Sequence, residues 1–330
     1  MDMKGFRVML GIGLAILVCG WASAKEPLLI YTSTPVEIMT RFEQMFEAKY
    51  PDIDLQVFRS GTGTIVAKIA AEREAGRIVA DLIWVAEYTY LEQLKAQGLL
   101  YKYESPEAKG IPALLADPEG YYYGARIFAL VIAYNTNLVK DPPRRWTDLL
   151  DPKWKGQIIV ANPSYSGSVA IAATVLGLNY GLDFFRGLAA NETTVVQGNS
   201  QVVTEVAAGA YKVGLTLDNM VRDLQAQGSP IALIYPDDGP IFLPSPIGIF
   251  ATSQRLEAAK KFVDFVLSAE GQKALVEIGR YIPARSDVEG PIGAPTLDEL
   301  VAKAMPADIH AVLANIDFFT QQFVKILLGD

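Results

Sequence analysis

Apolar residues in this chain follow two alternating rhythms, short solid runs and stretches with helical spacing. Residues 28–31 (LLIY) are the first solid run and predict a strand. Residues 36–50 then place Ile38, Phe42, Met45 and Phe46 at helical spacing, with Pro35 in the first turn and Thr34 as N-cap. Residues 53–58 alternate like a second strand. They lead through Arg59-Ser60-Gly61-Thr62-Gly63-Thr64 into a helix at 65–75, stopped by Gly76. Residues 81–85 (DLIWV) predict a third strand, followed by Glu87 and a helix stopped by Gly98. Strands alternating with helices predict an α/β architecture.

Residues 122–134 (YYGARIFALVIAY) break this rhythm with a β-rich run long enough to pass between two lobes. A loop from Pro142 to Trp146 precedes a short helix at 147–150. Residues 155–161 predict a strand that stops at Asn162 and Pro163. Small apolar residues after Ser168 then read as a buried helix ending near Gly177. Strands follow at 193–196, 212–217 and 231–235, with helices at 201–208 and 218–227 stopped by Gly209 and Gly228. Residues 241–250 (IFLPSPIGIF), broken by Pro244 and Pro246, predict a crossover back to the first lobe. Helices at 252–267 and 268–279 and a helical tail at 297–328 complete the pattern.

Composition narrows the class. The 330 residues are 51% hydrophobic and 20% charged, enough for a large core. The net charge is −8, and no basic stripe interleaved with aromatics occurs, which argues against a nucleic-acid partner. An acidic protein that binds an anion relies on local dipoles and hydroxyls. Residues 1–24 read as a secretory signal: Lys4 and Arg7, an apolar core at 8–18, and Ala22-Ser23-Ala24 for cleavage. The apolar core is short for a membrane span of about 20 residues. Cleavage leaves 27 basic and 36 acidic residues, a net charge of −9. The single cysteine, Cys19, lies in the leader behind Val18 rather than a small residue, so lipid attachment is the second alternative. The mature chain then has no disulfide and no thiolate metal site.

Four predicted helix starts are rich in glycine and hydroxyls: Ser33–Pro35, Ser60–Thr64, Ser166–Ser168 and Asn199–Ser200. A helix start carries unpaired N–H groups and partial positive charge, so it suits an oxyanion, and Gly167 allows close backbone approach. The plain alternative is an ordinary serine cap. All four follow predicted strands, which collects them on one rim. Asp218 either accepts from a ligand hydroxyl or amine or caps a helix, and Asp238, with Asp237, either does the same or makes a turn. Trp84 and Glu87 line a cleft or, for Trp84, belong to the core. Tyr165 stacks on a ligand, closes the cleft or simply packs. No G-x-S-x-G, S-x-x-K, H-E-x-x-H or G-x-x-x-x-G-K-[ST] occurs, and the single histidine is His310 in the tail. A Ser-His-Asp enzyme is therefore hard to build, while a carboxylate hydrolase would be recognised by turnover.

The leader, LLIYTSTP, the strand–SGTG–helix unit, DLIWV, residues 162–176, PSPIGIF and AAKKFVDFVLSAEGQKAL together resemble the family 1 extracellular solute-binding proteins of ABC importers. The likeness is strongest to the subgroup of ferric-ion-, hexose-phosphate- and 2-aminoethylphosphonate-binding periplasmic proteins. The resemblance implies a two-lobed type II periplasmic binding protein fold with two crossover strands and a ligand cleft. Lobe 1 would be 25–127 plus 251–300, lobe 2 would be 128–250, and 301–330 a C-terminal helical tail. It also implies a periplasmic monomer that delivers a small anionic solute to a permease and its ATPase subunit, with no cofactor and no catalytic residue.

In the ferric members two adjacent tyrosines, often with His and Glu and a bound anion, hold the metal. The anion-holding helix start matches Ser166-Gly167-Ser168, and its asparagine matches Asn199. The tyrosines would fall in 213–221 (VGLTLDNMV), where Asn219 and Met220 stand instead, and Tyr121, Tyr122 and Tyr123 precede the first crossover. A ferric ion wants anionic oxygen ligands. The resemblance thus implies a phosphate- or phosphonate-bearing solute, with ferric ion plus an anion as the alternative, and no metal. The contacts would be Ser166, Gly167, Ser168, Asn199 and Ser200 on one lobe, and Ser33, Thr34, Ser60, Gly61, Thr62, Gly63 and Thr64 on the other. All of these are neutral donors, so no buried ion pair need be desolvated.

Overall fold

The computed structural model of the chain describes residues 25–329, so the expected leader with Cys19 lies outside the described residues. The first elements are β1 (Glu26–Thr32), α1 (Val36–Lys49), β2 (Ile53–Arg59), α2 (Thr62–Glu74), β3 (Leu82–Trp84), α3 (Tyr88–Ala96) and β4 (Leu100–Tyr101). β2, β1 and β3 lie side by side and parallel, as strands linked by helices must. Leu28 and Ile30 of β1 are fully buried, and α1 turns Met39, Phe42 and Phe46 into the same core. Two boundaries differ from expectation. Pro35 rather than Thr34 is the N-cap of α1; Thr34 is buried and accepts a hydrogen bond from the Thr32 hydroxyl. α2 starts at Thr62, inside the expected loop, because Gly61 takes the extended N-cap conformation.

Next come β5 (Tyr122–Asn135), β6 (Ile158–Ala161), α4 (Gly167–Tyr180), α5 (Leu182–Ala190) and β7 (Thr194–Val196). α6 (Asn199–Ala208), β8 (Val213–Leu217), α7 (Asp218–Ala226) and β9 (Ile231–Ile234) follow. β6 lies parallel between β7 and β8, repeating the pattern of the first half. β10 (Ile241–Phe250) returns antiparallel to β5, from Ile241 opposite Leu130 to Gly248 opposite Tyr122. One end of this pair continues into β3 and β4, the other into β8 and β9. The order β2-β1-β3-β10-β5-β8-β6-β7 therefore joins two α/β halves through two long shared strands, as expected. Pro244 and Pro246 do not break β10. A register shift between Ser245 and Pro246 accommodates the missing donors, so the strand runs on.

α4 is buried from Gly167 to Gly177 and passes the glycine at which it was expected to end. A side chain at Gly177 would collide with the Phe319 ring, so this glycine serves packing. The helix stops instead at Gly181, whose φ of 72° favours glycine. α8 (Leu256–Leu267) and α9 (Ala269–Gly279) return to the first half, α8 against β1 and β10 and α9 against α1. The expected tail helix is two helices, α10 (Leu297–Lys303) and α11 (Ile309–Leu328). α11 lays Val312, Ile316, Phe319 and Phe323 towards α4 and α5 of the second half.

Candidate functional site

The starts of α2, α4 and α6 meet at a cavity of about 230 Å³ between the halves. Ser33, Gly61 and Thr62 line it from the first half, and Tyr165, Ser166, Gly167, Ser168, Asn199 and Ser200 from the second. These nine expected residues come from four separate loops, each following a strand.

Hydrogen-bond accounting shows where their protons go. A hydroxyl has one donor and two acceptor sites. Ser33 Oγ accepts from the Ala86 N–H at 3.1 Å and from Arg126 Nη2 at 3.3 Å, so its own proton is free. Asn199 Nδ2 donates to both Ser166 Oγ and Ser168 Oγ at 3.0 Å, and these two oxygens lie 3.0 Å apart. One serine proton can satisfy the other serine, which leaves one for the cavity. Thr62 Oγ1 is buried without any partner among the described residues, although burial of an unpaired hydroxyl is costly. First-turn N–H groups of α4 and α6 add further donors.

The strongest group in the cavity is one the sequence reading did not select. Arg126, on β5, is 2% exposed and has no carboxylate partner among the described residues. Its Nε donates to Ser245 Oγ at 2.9 Å and its Nη1 to the Tyr281 hydroxyl at 3.1 Å. The Trp84, Phe128 and Tyr281 rings surround the guanidinium at 5.2, 5.5 and 5.4 Å. The Ser245–Pro246 register shift sits beside this anchor, and Ser245 Oγ donates to the Val85 carbonyl at 2.7 Å. Three of the five guanidinium N–H groups are used, and two remain. Burial pushes the Arg126 pKa below the usual arginine value; the positive charge of Arg59 adds to this and the Tyr281 phenol opposes it. Arg59 also lines the cavity. Its Nε reaches the Thr34 carbonyl at 3.4 Å, and no carboxylate pairs with it among the described residues. The expectation of neutral donors alone is therefore corrected. A signal was present: Arg126 is the one charged residue in the apolar run 122–134, and such a residue needs a reason to be buried. Tyr281, Met220 and Phe128 also line the cavity, and nothing local in the sequence marks them.

The other expected residues lie elsewhere. Trp84 is fully buried under Arg126, with its indole N–H donating to the Ser245 carbonyl at 3.3 Å. Thr34 is buried in the turn after β1, Ser60 donates its N–H to the Thr32 carbonyl, and Thr64 is exposed on α2. Asp218 Oδ1 accepts from the Ala129 and Asn219 N–H groups, and Oδ2 from Arg222 Nη2 and the Tyr235 hydroxyl. Those four bonds saturate its carboxylate, so nothing is left for a ligand. Asp238 accepts from the Trp146 N–H at 3.2 Å and the Tyr180 hydroxyl at 2.5 Å, while Asp237 pairs with Arg144. Asn219 donates to the Gly279 carbonyl.

Gly63 and Glu87 stand at a seam where the halves touch. The Gly63 N–H donates to the Tyr165 carbonyl at 3.3 Å, across the cleft. A Cβ on Gly61 would come within 2.6 Å of Tyr165, and one on Gly63 would strike the Ser164 carbonyl. A Cβ on Gly167 would lie 2.8 Å from Thr62 and 2.9 Å from Glu87 Cβ. Gly167 is thus needed for approach of the opposite half, not only of a ligand. Glu87 accepts from the Thr89 hydroxyl at 3.0 Å, and burial pushes its pKa up to about 7, with Asp317 adding to the rise.

Known proteins give this geometry a context. A family model described as bacterial extracellular solute-binding protein matches residues 78–309. A putative 2-aminoethylphosphonate-binding periplasmic protein from Salmonella typhimurium is 26% identical over 75% of this chain and 75% of its own. The periplasmic binding protein AfuA from Actinobacillus pleuropneumoniae, solved with fructose-6-phosphate, superposes with a TM-score of 0.84 at 26% identity. That match covers 93% of this chain and 100% of AfuA. Iron-bound HitA from Pseudomonas aeruginosa superposes with a TM-score of 0.80 at 21% identity over 90% of this chain and 99% of its own, a likeness of fold.

Proposed function

This chain belongs to the bacterial extracellular solute-binding proteins, and we propose that the solute it captures is a small phosphate- or phosphonate-bearing anion. As a periplasmic substrate-binding protein of the ABC-importer type it works with a permease and an ATPase. We take it to be an exported monomer, freed from its leader after Ala24, that returns its solute chemically unchanged.

The observation that supports the anion reading is the convergence of free donors on one cavity. Arg126, Ser33, Thr62 and the Ser166–Ser168–Asn199 cluster all face it, and each lacks an internal acceptor for at least one proton or charge. A charge-assisted hydrogen bond contributes roughly 1.5–3 kcal/mol. Several of them support micromolar or tighter binding after ordering costs. Contacts from both halves exist together only when the cleft is shut, so binding favours the closed state. The ferric alternative finds two tyrosine oxygens in the lining, Tyr165 and Tyr281, the latter already accepting from Arg126. That is a poor donor set for a hard trivalent cation.

A thermal-shift series with hexose phosphates, phosphonates, inorganic phosphate, polyamines and ferric citrate tests the reading. The expected result is a rise in Tm with phosphorylated or phosphonate solutes and none with polyamines. A visible tyrosinate–iron absorption band with ferric citrate, and no shift with any phosphorus compound, would overturn it in favour of iron.

A further inference from the structure

We propose that this cavity selects a doubly charged oxyanion and rejects solutes that carry an ammonium group. The inference rests on the reading of the cavity as the solute site, and it deepens that reading from anion to charge pattern. Two guanidinium groups, Arg126 and Arg59, line the cavity, and among the described residues none of the lining side chains is Asp or Glu. A dianion balances both charges, whereas a monoanion leaves one guanidinium, either the buried Arg126 or the half-buried Arg59, uncompensated.

The carboxylates adjoining the lining are not part of it. Asp218 follows the lining residue Leu217 but accepts four hydrogen bonds within its own cluster. Glu87 follows the lining residue Ala86 but is bonded to Thr89 at the seam. Of the neutral polar groups facing the cavity, Ser33 has both acceptor sites filled and presents its proton, Asn199 spends its amide protons on the two serines, and Gln197 and Gln201 add uncharged amides. An ammonium would lose its water, meet two like charges and find no carboxylate in the lining. The unpartnered Thr62 hydroxyl is compatible with this, because its free proton can go to an oxyanion. An aminated phosphonate and its plain counterpart therefore differ sharply here.

Three probes separate the possibilities by titration calorimetry: ethylphosphonate, its monoethyl ester, and 2-aminoethylphosphonate. The pH is set so that both free phosphonates are doubly ionised and the amine is protonated. Ethylphosphonate is expected to bind at least about tenfold more tightly than either of the others. In Arg59→Gln the advantage of ethylphosphonate over its ester should narrow, with the Tm of the unliganded protein unchanged. Equal or tighter binding of 2-aminoethylphosphonate would overturn the inference while leaving the anion site standing. Equal binding of the ester would overturn the dianion preference in the same way. No binding of any probe would overturn the anion reading itself, and the inference with it.

Discussion

The Gly63 amide of the first half donates to the Tyr165 carbonyl of the second, 3.3 Å across the cleft. This backbone bond closes the seam beside the cavity without using a ligand atom. Gly63 lies in α2 and its φ is not left-handed, so only lack of space excludes a side chain.

Gly63→Ala should therefore separate closure from folding. Alanine is the better helix former by about 0.5–1 kcal/mol, so the unliganded Tm should hold or rise slightly. Collision with the Ser164 carbonyl should weaken solute binding by about 1–3 kcal/mol. Calorimetric titration beside an unfolding scan checks both, and unchanged affinity would show that the seam is not part of the bound state.

Arg126→Met should trade binding for stability. The guanidinium is buried without a carboxylate, so replacing it removes a desolvated charge. The unliganded protein should be as stable as wild type or more so, while affinity for the phosphorus solute falls by about 2–5 kcal/mol. Differential scanning calorimetry with and without solute measures the two effects. A large loss of unliganded Tm would mean that Arg126 serves the hinge instead.

Asp218→Asn should act in the opposite way. It leaves Arg222, 7% exposed, without its anionic partner, beside the three other former donors Ala129, Asn219 and Tyr235. The expected cost is about 3–5 kcal/mol in chemical denaturation, with solute affinity little changed below the transition.

Glu87 sets a pH dependence. Its pKa in the folded protein is raised by burial from 4.5 to about 7. Between these values the folded state holds a proton that the unfolded state has released. Stability from this group is therefore complete below about 4.5 and is lost as pH rises through about 7. The total is at most about 3 kcal/mol. Tm measured across this window should decline less in Glu87→Gln than in wild type, and parallel curves would count against the assignment.

Much of this was legible because local chemistry decided it. The two crossover strands announce themselves by length, and glycine–hydroxyl loops after strands mark Ser33, Thr62, Ser166 and Asn199 before any coordinates. What stayed hidden depends on partners far along the chain. Gly177 looks like a helix stop until Phe319, more than a hundred residues later, closes on it. Asp218 looks like a free ligand group until Ala129, Arg222 and Tyr235 occupy its oxygens. Arg126 could have been flagged as a lone charge in an apolar strand, but two rings of its aromatic box, Trp84 and Tyr281, come from distant segments and join Phe128 of its own strand.

The placement of α11 has a mechanical consequence. After α9 packs on the first half, the chain passes back, with the Met305 N–H on the Pro240 carbonyl and Asn179 on the Pro306 carbonyl, and α11 then lies on α4 and α5. The halves are thus tethered at three places rather than at the two crossover strands alone. A third connection constrains any hinge motion more than two do, because opening then has to be accommodated by backbone rotation in β5, β10 and the α9–α11 segment together.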